Sequence, residues 1–167
     1  MSRSRRFAFA FAFGAVAVGA LLSGSLIWAT TGSGTTPKVI GRATFEDNLK
    51  VKRSDDSGWK VDIKAKPDFD LAVQTIDFAI GAHSGWHSHP GPVFISVVEG
   101  EMTFYDSDDP NCEPTVRSKG QGFLDVGDHA HIARNESGAP ARNVVVSFLP
   151  PGADLRTDQP APGTCPF

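Results

Sequence analysis

Past residue 29 the chain is a succession of short runs in which apolar and polar residues alternate, each stopped by glycine, proline, asparagine or aspartate. Trp59, Val61, Ile63 and Ala65 alternate with polar neighbours after the turn signal Asp55-Asp56-Ser57-Gly58. Phe69, Leu71 and Val73 do the same, and the parity then shifts to Ile76, Phe78 and Ile80. That slip predicts a bulge, or a strand buried on both faces. Val39–Phe45, Val93–Val98, Met102–Tyr105, Thr115–Lys119, Gly122–Val126, Ala130–Arg134 and Asn143–Leu149 complete the set. Period 2 is the repeat of a strand, whereas a helix spaces its apolar residues at 3.6. No long stretch of helical period follows the head of the chain. Many short strands with turn-punctuated spacing predict an all-β antiparallel sandwich or barrel.

The head of the chain is different in kind. Ser2 to Arg6 is basic, and Phe7 to Ala29 is apolar and uncharged. This is the layout of a signal peptide, or of a signal anchor retained in the membrane. Residues 1–29 are therefore assigned to export, and residues 30–38, rich in Thr, Gly, Ser and Pro, to a flexible tether. Residues 39–152 form the barrel domain, and residues 153–167 a Pro-rich tail. The expected location is extracytoplasmic, secreted or held at the membrane by the N-terminal segment alone.

Charge and cysteines narrow the partners. The formal charge of −3 includes three arginines and no acids in residues 1–29, so the remainder carries −3 − 3 = −6. An acidic domain without a basic cluster argues against nucleic acid. The two cysteines, Cys112 and Cys165, are expected to form a disulfide in an exported protein and to pin the tail to the domain. The oligomeric state is left open, a homodimer included.

Chemistry concentrates in two segments. His87 and His89 precede the β-branched run Val93–Val98, and residues at i and i+2 of a strand face one side. His131 lies in Gly120–Asn135, with His129 sharing its parity as a candidate fourth ligand. Three or four imidazoles on stiff strands suit a divalent transition metal, Fe, Mn, Zn, Ni or Cu. Around them, Trp86 is a candidate cap of the pocket mouth and Tyr105 a candidate acid–base group. Asp125 is a candidate acceptor that fixes an imidazole tautomer. His83 in its Gly-Ser loop, and Asp106, Asp108 and Asp109 in an acidic turn, are read as solvated. No Ser-His-acid arrangement, phosphate loop or dinucleotide motif is apparent.

Gly81, five residues, His87, one residue, His89 and then Gly100 resemble the first motif of the cupin superfamily. Gly120, His131 and Asn135 match the spacing of the second, although Val126 and Asp128 stand where that motif has proline and glycine. The resemblance spans roughly Phe69 to Pro150. It implies a jelly-roll barrel with a pocket at its mouth and a single metal ion held by His87, His89 and His131. The family's glutamate ligand is replaced by Val93, whose parity with His89 turns it into the pocket. Without that carboxylate the ion keeps its double charge, unless Asp125 or Asp128 fills in. Two functions are consistent with this: a metal-dependent, dioxygenase-like enzyme acting on a small organic molecule, and a binding or sensing module of the cell envelope without turnover. A purely structural envelope protein is a remoter third. No catalytic residue is assigned from the sequence.

Overall fold

The computed structural model describes residues 29–167. The signal-peptide or anchor assignment falls almost wholly outside the described residues. Within them there are twelve strands and no helix.

The strands are β1 (Ser33–Phe45), β2 (Leu49–Ser54), β3 (Lys60–Ala65), β4 (Phe69–His83), β5 (His87–Ser88) and β6 (Val93–Glu99). They continue as β7 (Glu101–Asp106), β8 (Thr115–Ser118), β9 (Gly122–Asp125), β10 (His131–Arg134), β11 (Ala141–Leu149) and β12 (Thr157–Asp158). β2 and β3 form a separate hairpin; the other ten belong to one continuous sheet. Its pairings resolve into two layers. One runs β1-β4-β11-β6-β9 and the other β12-β5-β10-β7-β8. They join at the end of β4, where His83 pairs with Arg134. The result is an antiparallel jelly-roll barrel, the all-β architecture that the alternation predicts.

Between the layers pack Phe78, Val93, Ile95, Val97, Met102, Phe104, Ala133 and Val145, all buried. Along β6 their outward neighbours are exposed, whereas in β7 and β10 the outward Thr103 and Ile132 are buried as well. The slip within β4 has a specific origin. Its ladder with β11 runs unbroken from Asp70 to Phe78. The bulges lie in the partner β1, between Val39 and Gly41 and between Ser33 and Thr35. Inward, β4 buries Ala72 and Phe78; outward, Phe69 is covered by Phe45 and Phe148, with ring centroids 5.1 and 6.0 Å away. β4 therefore buries residues on both faces, Asp70 among them through its pairing with Arg42.

Residues 30–38 correct the sequence reading. They are not a free tether, since Ser33–Lys38 are the first half of β1 and pair with Thr75–His83 of β4. Backbone pairing with a long strand whose edge would otherwise be open outweighs a composition typical of linkers. Pro37 fits because β1 is itself an edge strand. The barrel therefore begins at Ser33.

The Pro-rich tail is folded against the second layer. β12 pairs with β5, the Gln159 N–H donates to the Trp86 carbonyl, and the Cys112–Cys165 disulfide closes the end.

Candidate metal centre

The short β5 is trapped between β10 and β12, and that pairing positions the site. His131 of β10 lies directly opposite His87 of β5. Directly opposed residues share a face, so both rings enter the barrel. His87 and His89 are buried with Ser88 between them half-buried, as i and i+2 on one face require. The ring centroids are 4.8 Å apart for His87–His89, 4.4 Å for His87–His131 and 5.3 Å for His89–His131. One nitrogen from each ring lies within 4.8 Å of the other two.

Each ring has its Nδ1 occupied by the protein. His87 Nδ1 donates to the Gly85 carbonyl at 2.9 Å, and His89 Nδ1 donates to the Leu155 carbonyl at 2.7 Å. A carbonyl only accepts, so both protons sit on Nδ1 and both Nε2 atoms keep a lone pair. His131 Nδ1 stands 2.5 Å from Asp125 Oδ2. The contact is short but bent, because neither atom has a partner of good hydrogen-bond geometry. It is an electrostatic contact between an N–H and a carboxylate, and it leaves Nε2 as the free nitrogen of His131. His89 Nε2 is buried with no partner at all. An orphaned acceptor beside two more in a closed barrel is a donor set that fits a divalent transition ion.

Burial holds His87 and His89 neutral. Burial, then the neighbouring His131 ring and the Arg156 guanidinium, pushes His87 down to about 2. Burial pushes His89 down to about 4, although its bond to Leu155 opposes the shift. Burial alone would raise the Asp125 carboxyl, but the His131 contact and the Gly127 N–H outweigh it and hold it below its ordinary value. Asp125 is therefore a carboxylate at neutral pH.

Val93 occupies the place the sequence assigns it. It is fully buried and lines the same cavity as the three histidines. Its ladder partner on β9 is Asp125. The layer therefore does carry a carboxylate, one strand over from the position the first motif would give it. Asp125 Oδ2 lies at His131 Nδ1 and 3.8 Å from His89 Nε2, so it sits beside the cluster and orients the His131 ring.

Four expectations are corrected. His129 is not grouped with the trio. The turn at Gly127–Ala130 breaks the strand parity, and His129 Nε2 and Nδ1 each contact a carboxylate at 2.7 Å, of Asp106 and Asp128. Burial works against protonation there, yet those carboxylates raise its pKa, and the ring belongs to a separate surface group with Asp106 and Asp108. Asp128 is bound up in the same exposed contact and does not fill in for the glutamate. Trp86 does not cap the mouth. Strand alternation sends it to the opposite face from His87, where it is buried against Ile132 and Cys165 and stacks on Phe167. Tyr105 lies on that outer face too, its hydroxyl donating to Glu136 at 2.8 Å; its neighbour Phe104 is the one that lines the cavity. His83 ends β4 outside the cluster, accepting the Gly85 N–H at 3.2 Å.

The sequence reading missed the contribution of the tail and of β1. Leu155 and Arg156 close one side of a cavity of about 300 Å³, with Thr35, Pro37 and Val39 on another. Arg156 is held there by a bond to the Ser84 carbonyl at 2.9 Å. The disulfide was the one available signal, since a pinned tail has to lie against something. One motif residue, Asn135, and one glycine within the second motif's span, Gly127, prove structural. Asn135 ties the barrel end by donating to the carbonyls of Phe78, Ala79 and Ala139. Gly127, with φ of +91°, lets the second motif pass within contact of Gly91, where a Cβ would lie 2.6 Å from the Gly91 oxygen.

Fold and side chains together define a jelly-roll barrel with a buried three-imidazole cluster. No protein-family model matches the chain, and no curated protein does either. Solved structures that it resembles include cupin-domain proteins. A cupin domain from Bordetella pertussis is 15% identical over 70% of this chain and 95% of its own, with a TM-score of 0.46. The cupin domain of an XRE-family transcriptional regulator from Enterobacter cloacae is 19% identical over 71% and 99%, at 0.45. The polyketide cyclase RemF from Streptomyces resistomycificus is 17% identical over 55% of this chain and 64% of its own, at 0.44. At such identities and TM-scores, the functional reading rests on this chain's own side chains.

Proposed function

We propose that the protein holds one divalent transition-metal ion on His87, His89 and His131 and presents it to a small organic molecule in the barrel cavity. The observation that carries this is the arrangement of the three rings. Each has its Nδ1 tied outward, to Gly85, Leu155 or Asp125, and the buried Nε2 of His89 is left without a partner. The bound ion would supply Lewis acidity and open coordination positions, because three neutral donors leave its double charge intact. The protein's own work is to keep the rings unprotonated, to orient them, and to exclude bulk water with apolar walls.

The same cavity favours binding without turnover as the second reading. Besides the three histidines, Arg156 is, among the described residues, the only ionisable side chain that lines it, and Tyr105 lies outside. A general acid or base independent of the cluster is thus not among the described lining residues, and any turnover would have to be centred on the ion. The disulfide supports an extracytoplasmic location.

The deciding experiment is elemental analysis of the purified protein beside His87→Ala and His131→Ala. Wild type should carry about one equivalent of a first-row metal and each variant far less. Equal, trace contents in all three would sink the proposal. Oxygen uptake against phenols, diketones and thiols then separates the enzyme from the binding module.

A further inference from the structure

The cavity has a second polar end that the imidazole cluster does not use. Asn143 of β11 is 2% exposed and lines the cavity, and its Oδ1 has no hydrogen-bond partner. A buried amide oxygen is normally bonded, and leaving it bare is costly. The Gln74 carboxamide of β4 lines the same space. The registers place both relative to the metal end. Ser147 faces Val93, Val145 faces Gln74 and Ile95, and Asn143 faces Ile76 and Val97. Asn143 is therefore four residues along β11 from the level of Val93, roughly 13 Å at the rise of a strand. Gln74 lies about halfway. Between the ends the walls are Ile76, Phe78, Ile95, Phe104 and Val145. At the other end Arg156 lines the cavity, and no acidic side chain does.

We infer that the cavity accepts a small, largely apolar organic acid bearing an O–H or N–H donor at the end remote from its carboxylate. The donor meets Asn143 Oδ1, with Gln74 beside it, and the carboxylate is directed to the imidazole end. The carboxylate half of this inference rests on the proposed metal alone, since an ion held by three imidazoles favours an anion, whereas the Arg156 guanidinium is already paired with Asp158 and bonded to the Ser84 carbonyl. The donor half rests on the orphaned Asn143 oxygen alone. A cavity of about 300 Å³ lies at the small end of ligand sites, so the acid is a compact one.

The test uses 4-hydroxycinnamate and 4-methylcinnamate, which have closely similar shapes and differ in the donor. Each is titrated calorimetrically into zinc-loaded and into chelator-stripped protein, as wild type, Asn143→Leu and Gln74→Leu. Wild type should bind the hydroxy acid about tenfold or more tightly than the methyl acid. Asn143→Leu should bring the ratio to within about twofold and melt no lower than wild type, because a bare buried acceptor has been removed. Should that variant not fold, Asn143→Ala is titrated in its place and should bring the ratio to the same value. An unchanged ratio in the variants, or no binding of either acid to wild type, overturns the inference. Stripping zinc should weaken both acids in parallel and leave their ratio unchanged. If stripping changes nothing while the ratio behaves as expected, the metal reading fails and the donor site stands.

Discussion

Replacing Asp125 by asparagine tests the link between the β9 strand and the imidazole cluster. Asp125 is almost fully buried, accepts the Gly127 N–H at 2.8 Å through Oδ1, and turns Oδ2 to His131 Nδ1 at 2.5 Å. In Asp125→Asn the Gly127 bond keeps the carbonyl oxygen at the Oδ1 position, which puts the NH₂ group where Oδ2 was. Two donors then face each other. His131 relieves the clash by moving its proton to Nε2, and the lone pair turns from the cluster toward residue 125. Loss of such a partner costs 10- to 100-fold in metal affinity, or about 1.4–2.7 kcal/mol. Competition of the variant against a zinc chelator measures this directly, and ¹⁵N spectra of the metal-free protein report the tautomer. Wild type should show the His131 proton on Nδ1, the variant on Nε2. Zinc affinity within about twofold of wild type, with the tautomer unmoved, would refute the claim that Asp125 orients the ring.

Three further outcomes are expected. Val93→Glu should bind Fe²⁺ or Mn²⁺ more tightly, because a carboxylate offsets part of the ion's charge. The metal-free variant should be less stable by several kcal/mol, because Val93 is fully buried and a second carboxylate now stands beside Asp125. Unaltered affinity in a metal titration would mean that residue 93 does not face the ion. Metal-free wild type should lose stability on acidification. His87 and His89 stay neutral in the fold, with values near 2 and 4, but take up protons near 6.5 when unfolded. The unfolded chain thus binds more protons below 6.5, and each histidine costs about 2 kcal/mol between pH 7 and 5. Urea midpoints that are flat across that window would contradict the neutral cluster. Finally, Cys112 and Cys165 are 53 residues apart in sequence, and by loop entropy their bond contributes about 4 kcal/mol. Denaturant curves with and without a reductant should differ by that order, and identical curves would show that the bridge does not hold the tail.

What the sequence determined by itself is what depends on local periodicity. Alternation along the chain marks the strands themselves, and the His87/His89 spacing places two rings on one face wherever the strand goes. In β11 the inward set includes the polar Asn143 and Ser147, which no apolar pattern would choose. The count also turned Val93 inward, although the bend at Pro90 and Gly91 interrupts the strand between it and His89. His129 shows where counting ends, since a turn between Asp125 and His131 resets the parity. Trp86 and Tyr105 show the same limit from the other side: their faces were countable, but what covers those faces is a tail more than fifty residues away in sequence. Tertiary structure alone decided that residues 33–38 are a strand, through pairing with β4. It alone brought the Leu155 carbonyl to His89, set Asp125 opposite Val93, and left Asn143 Oδ1 bare in the cavity. Each of these is a contact between segments distant along the chain, chosen by backbone pairing and burial of the whole barrel, and no window of sequence contains both partners.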